Sequence, residues 1–235
     1  MMARLRVPPD AVADGEVSIE GPELRHLRTF RLRAGDELVV FDGSGAEYAV
    51  HLTEVGHRRA RGTVRHVEHP AREPSVHLVL APAVLKGPRM DMLVEKATEL
   101  GVARLAPVLT ERVVARGEHR ERWERIAAAA AKQCGRTRLP VVEAPRSLAA
   151  RLAEPEPALR VVAWEAERHA RITDLPAAAA SALLVTGPEG GFSAGEIALA
   201  RAHACRLIGL GARILRAETA VIVATALCLQ RWDTT

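Results

Sequence analysis

From residue 75 onwards the chain alternates short apolar runs with helix-period segments, and that alternation confines it to an α/β fold with a largely parallel sheet. Residues 76–81 read as a buried strand. Residues 89–100 read as an amphipathic helix with Met90, Leu93, Val94, Ala97 and Leu100 on one face and Gly101 placed to stop it. A second helix is expected over 118–133, charged at its start and alanine-rich later. Residues 159–164 and 182–186 are further strands, and the alanine run at 177–180 reads as helix. Residues 220–232 are almost wholly apolar, so that helix should be buried on most sides.

The first 70 residues obey a different pattern. Residues 37–41 enter the turn Asp42-Gly43-Ser44-Gly45 and residues 46–52 leave it, a hairpin. Residues 60–67 give a third strand, and a short helix fits 22–30 with Pro22 in its first turn. These elements suggest a small β-rich domain, a barrel. The stretch His69-Pro70-Ala71-Arg72-Glu73-Pro74 reads as a linker, which places the domains at 1–70 and 75–235.

Composition excludes several classes. No stretch approaches the roughly 20 apolar residues that cross a bilayer, and the amino terminus lacks the apolar run of a secretion signal, so a cytoplasmic protein without membrane contact is expected. Cys134, Cys205 and Cys228 stand far apart, and the nine histidines show no metal-ligand spacing, so neither a disulfide framework nor a metal site is expected. The net charge of +4 arises in the middle: residues 71–139 hold 13 Lys and Arg against 8 acids, while 1–70 hold 10 against 11 and 140–235 hold 10 against 10. That balance permits an RNA partner without demanding one. Only three of the basic residues are lysines, which suits bidentate phosphate contacts and equally a genome rich in arginine codons.

Two segments carry chemistry. In Leu184-Val185-Thr186-Gly187-Pro188-Glu189-Gly190-Gly191-Phe192-Ser193-Ala194-Gly195-Glu196 a strand runs into a glycine-rich loop, and Ser193 with Glu196 forms a capping box for the next helix. Such loops at strand ends hold small ligands in open α/β sheets; a tight strand-to-helix turn without a ligand fits the spacing as well. The loop is neither a dinucleotide fingerprint nor a Walker loop. In Ile208-Gly209-Leu210-Gly211-Ala212-Arg213-Ile214-Leu215-Arg216-Ala217-Glu218-Thr219-Ala220 a second strand meets a second glycine-bearing loop. Charged residues there stand directly before the apolar helix, which favours a site over a surface ion pair.

These two segments resemble the SPOUT-class methyltransferases, and more closely the family that methylates N3 of uracil-1498 in 16S ribosomal RNA. Arg89-Met90-Asp91, Val94-Glu95-Lys96-Ala97-Thr98-Glu99-Leu100-Gly101-Val102, Thr110-Glu111-Arg112 and Gln133-Cys134-Gly135-Arg136 agree in the same order. The resemblance implies a PUA-like amino-terminal RNA-binding domain, a carboxy-terminal domain with a trefoil knot, S-adenosylmethionine as cofactor, and a homodimer. Its partner would be small-subunit ribosomal RNA or the assembled 30S subunit.

Carried onto this sequence, the resemblance implies cofactor contacts from Thr186, Gly187, Glu189, Gly190, Gly191, Leu210, Gly211, Ile214, Leu215, Arg216, Thr219 and Ala220. A bulky residue at Gly190 should then weaken cofactor binding. Methylation at a ring nitrogen requires loss of its proton, so Arg136 or Arg216 would stabilise the uracil anion while Glu189 and Glu218 position groups or accept the proton. For Arg136 a phosphate contact is the alternative. Arg25, His26, Arg28, Arg31 and Arg33, with Lys86 and Arg89, are RNA-contact candidates, though a solvated basic face is as good a reading for the first five. Arg58, Arg59, Arg61 and Arg65 form a second possible stripe. The rival function is a non-catalytic RNA-binding or ribosome-assembly protein of the same fold.

Overall fold

The computed structural model describes residues 2–113 and 119–234. The chain divides into two compact units, residues 1–73 with 131–139 and residues 74–130 with 140–235.

The first unit holds strands β1 (Arg4–Arg6), β2 (Val12–Ala13) and β3 (Glu16–Glu20), helix α1 (Gly21–Thr29), and strands β4 (Glu37–Phe41), β5 (Glu47–Val55) and β6 (Arg59–Glu68). They form one sheet in the order β1-β4-β5-β6-β3-β2. Its outer strands, β1 and β2, are not paired to each other, so the expected barrel is an open, curled sheet among the described residues. Register shifts at Ala49/Val50 and Leu52/Glu54 bend β5 and produce the curl. Leu5, Val17, Ile19, Leu38, Val40, Val50 and Leu52 alternate inward onto Leu24 and Leu27 of α1.

Residues 131–139 join this unit through charge. Arg4 donates from Nη1 to Ala131 O (2.9 Å) and from Nη2 to Arg136 O (2.7 Å), pairs with Glu47, and lies 3.9 Å over the Phe41 ring. Arg136 is buried and sets Nε and Nη2 on Glu73 Oε2 at 3.0 and 2.6 Å. Arg72 reaches both Glu47 and the Gly135 carbonyl.

The second unit begins with β7 (His77–Pro82), α2 (Pro88–Leu100), β8 (Arg104–Leu105) and β9 (Val108–Leu109). Helix α3 (Arg120–Cys134) follows, its last turn belonging to the first unit; Glu118, read as the start of that helix, lies outside the described residues. Then come β10 (Val141–Val142), β11 (Arg146–Ser147), α4 (Leu148–Leu152), β12 (Leu159–Ala163), β13 (Ser181–Thr186), α5 (Ala194–Ala202), β14 (Arg206–Ile208) and α6 (Ala217–Trp232). The six-stranded sheet β10-β8-β7-β13-β12-β14 is parallel throughout, and β11-β9 forms a separate parallel pair.

Both faces of this sheet are buried, as continuous apolar strands require. Leu78, Leu80, Val161, Ala182, Leu184 and Ile208 face Leu93 and Val94 of α2 and Val221, Ala224 and Cys228 of α6. Val79, Ala81, Val162, Leu183 and Val185 face Leu148 and Leu152 of α4 and Ile197 and Ala200 of α5. Burial pushes the Cys228 thiol up to about 12, so it is a packing group. Cys134 is half-buried. The alanine run at 177–180 is irregular chain rather than helix. Four residues after Pro176 cannot repay helix nucleation. No helix among the described residues is long and apolar enough to cross a membrane, and no acidic, histidine or cysteine cluster there could hold a metal.

One buried cation fastens the lower part of this unit. Arg151 is 1% exposed and donates to Glu143 (2.5 Å) and Glu154 (2.8 Å), while Arg104 holds the other Glu143 oxygen at 3.0 Å. Burial alone would raise the Glu143 carboxyl, but hydrogen bonds from Arg151 and Arg104 outweigh it and hold Glu143 below the usual range. Arg151→Ala should therefore cost about 3 kcal/mol at neutral pH, the low end for breaking a buried pair because both carboxylates keep some water. A depressed carboxyl contributes stability above its unfolded value and loses it as pH falls through the folded one. The deficit of the variant should thus narrow in acid. Urea titrations at neutral and acid pH check both statements.

Candidate active site

The three strands β13, β12 and β14 end side by side, with Ala163 level with Thr186 on one side and Ile208 on the other. Their following loops therefore share the carboxy-terminal edge of the sheet, the place where such sheets receive ligands. They enclose a cavity of about 600 Å³, inside the ~300–1,000 Å³ span of small-molecule sites.

Each loop is built by local chemistry. After β13, the Gly191 N–H closes a turn on Pro188 O at 2.9 Å. Gly191 has φ +68°, a conformation that favours glycine, and a Cβ there would stand 2.4 Å from Glu165 Oε1, so a larger residue would also have to turn that exposed carboxylate aside. Ser193 and Glu196 exchange hydrogen bonds as the capping box of α5. Glu196 does more than cap: its other oxygen accepts the Glu111 N–H at 2.9 Å. Arg112 reaches across to Gly190 O at 2.7 Å. The turn after β9 thus buttresses the glycine loop. A Cβ at Gly190 would lie 3.2 Å from Arg112 Cβ, so Gly190→Val should displace this buttress and weaken cofactor binding at least ~10-fold in a calorimetric titration.

After β12, the carboxylate of Glu167 accepts the His169 and Ala170 N–H groups, which lowers its pKa and folds residues 164–170 into a compact turn. Trp164 N–H bonds to Ile208 O and Gly209 N–H to Ala170 O, both at 2.9 Å, so this turn is stitched to the loop after β14.

Of the residues drawn from the two segments, Thr186, Gly187, Glu189, Gly190, Gly191, Leu210, Gly211, Ile214, Leu215, Arg216, Glu218 and Ala220 line the cavity. Thr219 does not line it and is exposed. Arg213 of the second segment lines it as well, and so do Ala163, Trp164 and Glu165, unforeseen because their strand is next to β13 only in space. Arg89, read as an RNA contact, lines it too: Nη1 lies 2.9 Å from Glu189 Oε1 and Nε 4.0 Å from Glu218 Oε1. Lys86 is exposed and has no side-chain partner among the described residues. Arg136 belongs to the first unit, on Glu73.

Electrostatically the cavity is mixed. It gathers the carboxylates of Glu165, Glu189 and Glu218 and the guanidiniums of Arg89, Arg213 and Arg216. Arg213 and Arg216 have no side-chain partner among the described residues. Thr186 Oγ1 and Glu218 Oε2 are buried without a hydrogen-bond partner. Buried polar atoms are normally paired, and two orphans in one cavity mark groups that a ligand would satisfy.

In the first unit, Arg25, Arg31 and Arg33 are exposed and His26 half-buried. Arg28 is committed to the carbonyls of Gly56 (2.9 Å) and His57 (2.6 Å). Arg59 sits opposite Glu20, and Arg61 opposite Ser18 on one side and Glu54 on the other, so acids interleave that stripe.

A parallel sheet with a mixed-charge cavity at its carboxy-terminal edge and, in the other unit, a curled, mostly antiparallel sheet match known proteins of one class. Residues 72–229 match the RNA methyltransferase domain family and residues 19–64 the RNA methyltransferase PUA domain family. Ribosomal RNA small subunit methyltransferase E of a Synechocystis strain is 34% identical, the match covering 96% of this chain and 77% of that protein. The Bacillus subtilis protein of the same name is 30% identical over 88% of this chain and 87% of its own length. The crystal structure of the Neisseria gonorrhoeae protein of that name, bound to S-adenosyl methionine, superposes with a TM-score of 0.90 at 28% identity, covering 99% and 98% of the two chains. A Legionella pneumophila structure with bound cofactor SAM gives 0.92 at 28% identity, covering 100% of both. The chain belongs to the ribosomal RNA small subunit methyltransferase E family.

Proposed function

We propose that this chain transfers a methyl group from S-adenosylmethionine to N3 of a uridine in small-subunit ribosomal RNA, uracil-1498 by its resemblance. The cavity at the ends of β12, β13 and β14, with buried orphan atoms on Thr186 and Glu218, is the observation that carries the reading. Residues 1–70 serve as the PUA-like RNA-binding domain and residues 75–235 as the SPOUT methyltransferase domain with its knotted crossing. The protein works as a cytoplasmic homodimer on naked RNA or the 30S subunit.

The cavity fits the cofactor on its own terms. Its size is right, its carboxylates complement an ammonium and a sulfonium, the Arg213 guanidinium, without a side-chain partner among the described residues, complements a carboxylate, and Thr186 Oγ1 can bond a polar edge. When bound, S-adenosylmethionine supplies an electrophilic methyl group. The residues then divide the remaining work. Glu218 keeps one oxygen without a partner, so it accepts the N3 proton. Glu189 holds Arg89, which approaches the other Glu218 oxygen, so this pair positions the base. Arg216, which has no side-chain partner among the described residues, stabilises the charge that spreads onto the two flanking uracil carbonyls. Arg136 has its fork on Glu73 and is the less available cation.

Incubation with labelled S-adenosylmethionine and small-subunit RNA, followed by mapping of the modified base, tests the assignment. Methyl at uridine N3 is expected. RNA binding without any transfer would favour the non-catalytic alternative, and label at another position would overturn the substrate assignment.

A further inference from the structure

The carboxy-terminal end of α1 carries a feature that the methyl-transfer site does not use. His26 and Phe30, one helical turn apart, stack with ring centroids 4.9 Å apart and an interplanar angle of 21°. Leu24 and Leu27 bury the other side of the helix, whereas Phe30 is 47% exposed. The imidazole is propped from behind: Lys132 Nζ lies 3.4 Å from His26 Nδ1 and donates to Glu23 at 2.8 Å. A flat aromatic face is thus held rigidly in water.

Its surroundings are cationic. Arg25, Arg31 and Arg33 are exposed, and none of their guanidiniums has a partner among the described residues. Arg28 pins the turn between β5 and β6, which carries Arg58, against the same helix. Arg31 supplies an independent signal. Directly after the helix cap at Phe30 it adopts φ +59°, a left-handed position that glycine fills at less cost. A bulky cation placed where the backbone favours glycine carries local strain, which a contact made by its side chain would offset.

We propose that Phe30, backed by His26, is a platform on which one unpaired RNA base stacks, with Arg25, Arg31 and Arg33 on the flanking phosphates. The proposal rests on the reading of this chain as an RNA methyltransferase and adds where and how the first unit grips its substrate. An unpaired nucleotide is specified because bases inside an A-form duplex cannot offer a face to a side chain. A planar base and an anionic backbone are together what this surface complements.

Binding of a single-stranded RNA and of a blunt RNA duplex of equal length to the full chain, titrated at several salt concentrations, tests it. Phe30→Ala should weaken the single strand by about 5- to 100-fold, the range of one lost stack, and leave the duplex within about 2-fold. Phe30→Trp should retain affinity. Arg31→Gly should weaken binding and flatten the salt slope by about 0.7, one phosphate contact on a single strand, with a melting temperature equal to or above that of the parent. Unchanged single-strand affinity in Phe30→Ala, an equal loss for both RNAs, or an altered oligomeric state marking Phe30 as a protein contact would each overturn the platform. Parent protein run alongside in the methyl-transfer assay separates the two failures: transfer with indifferent Phe30 variants removes the platform alone, and absence of transfer to any RNA removes the functional reading beneath it.

Discussion

Replacement of Gly209 by alanine is expected to lower cofactor affinity about 100-fold. A Cβ at this position would stand 2.2 Å from Glu167 O and 3.1 Å from Glu167 C. Those are backbone atoms of a turn that Glu167 itself has locked, so no side-chain rotation relieves the clash. Either residues 164–170 or the loop after β14 must move by about an ångström, and both line the cavity. A displacement of that size costs about two orders of magnitude in a site that works by positioning. Overpacking should add about 1–3 kcal/mol of instability. Gly35→Ala is the matched control, since a Cβ there meets nothing within 4 Å, only its φ of +98° is unfavourable, and it does not line the cavity. Calorimetry on both variants decides the matter: wild-type affinity in Gly209→Ala would show that the two loops are not held as described.

The second large effect concerns Arg216. Its substitution by alanine should lower kcat by about 10²–10³, the usual loss when one group stabilising a developing anion is removed. The dissociation constant for S-adenosylmethionine should stay within about 3-fold. Arg216→Lys should recover part of the rate, because a point charge replaces the fork imperfectly. The defect should shrink as pH rises towards the range in which uracil loses its N3 proton unaided, since the anion then forms without help. Single-turnover methyl transfer across pH reads all of this. A parallel collapse of cofactor affinity would move Arg216 from the reacting base to the cofactor.

The glycine loop after β13 was legible in the sequence because its signals are local: an apolar run, a cluster of glycines, and Ser193 three residues before Glu196. The segment 208–220 was legible for the same reason, although α6 starts at Ala217 rather than 220. Glu165 was not. Nothing in Val162-Ala163-Trp164-Glu165 marks a ligand, and it reaches the cavity only because β12 inserts between β13 and β14. The pairing of Arg89 with Glu189 was not legible for a related reason: the two lie 100 residues apart and meet only in the fold. The two-residue strands β8 to β11 are too short to show any period. Phe30 carried no signal beyond its neighbours' charge, because exposure is a property of packing.

The return of residues 131–139 to the amino-terminal unit bears on how this protein can be dissected. A protease or a cloning boundary acting near residue 73 would strip Arg4 of the Ala131 and Arg136 carbonyls and leave Glu73 without its guanidinium. The excised fragment would carry orphaned charges in its interior and should fold poorly, whatever its sequence match suggests. Any fragment meant to report on RNA affinity by itself must include the nonapeptide, spliced back through an artificial bridge.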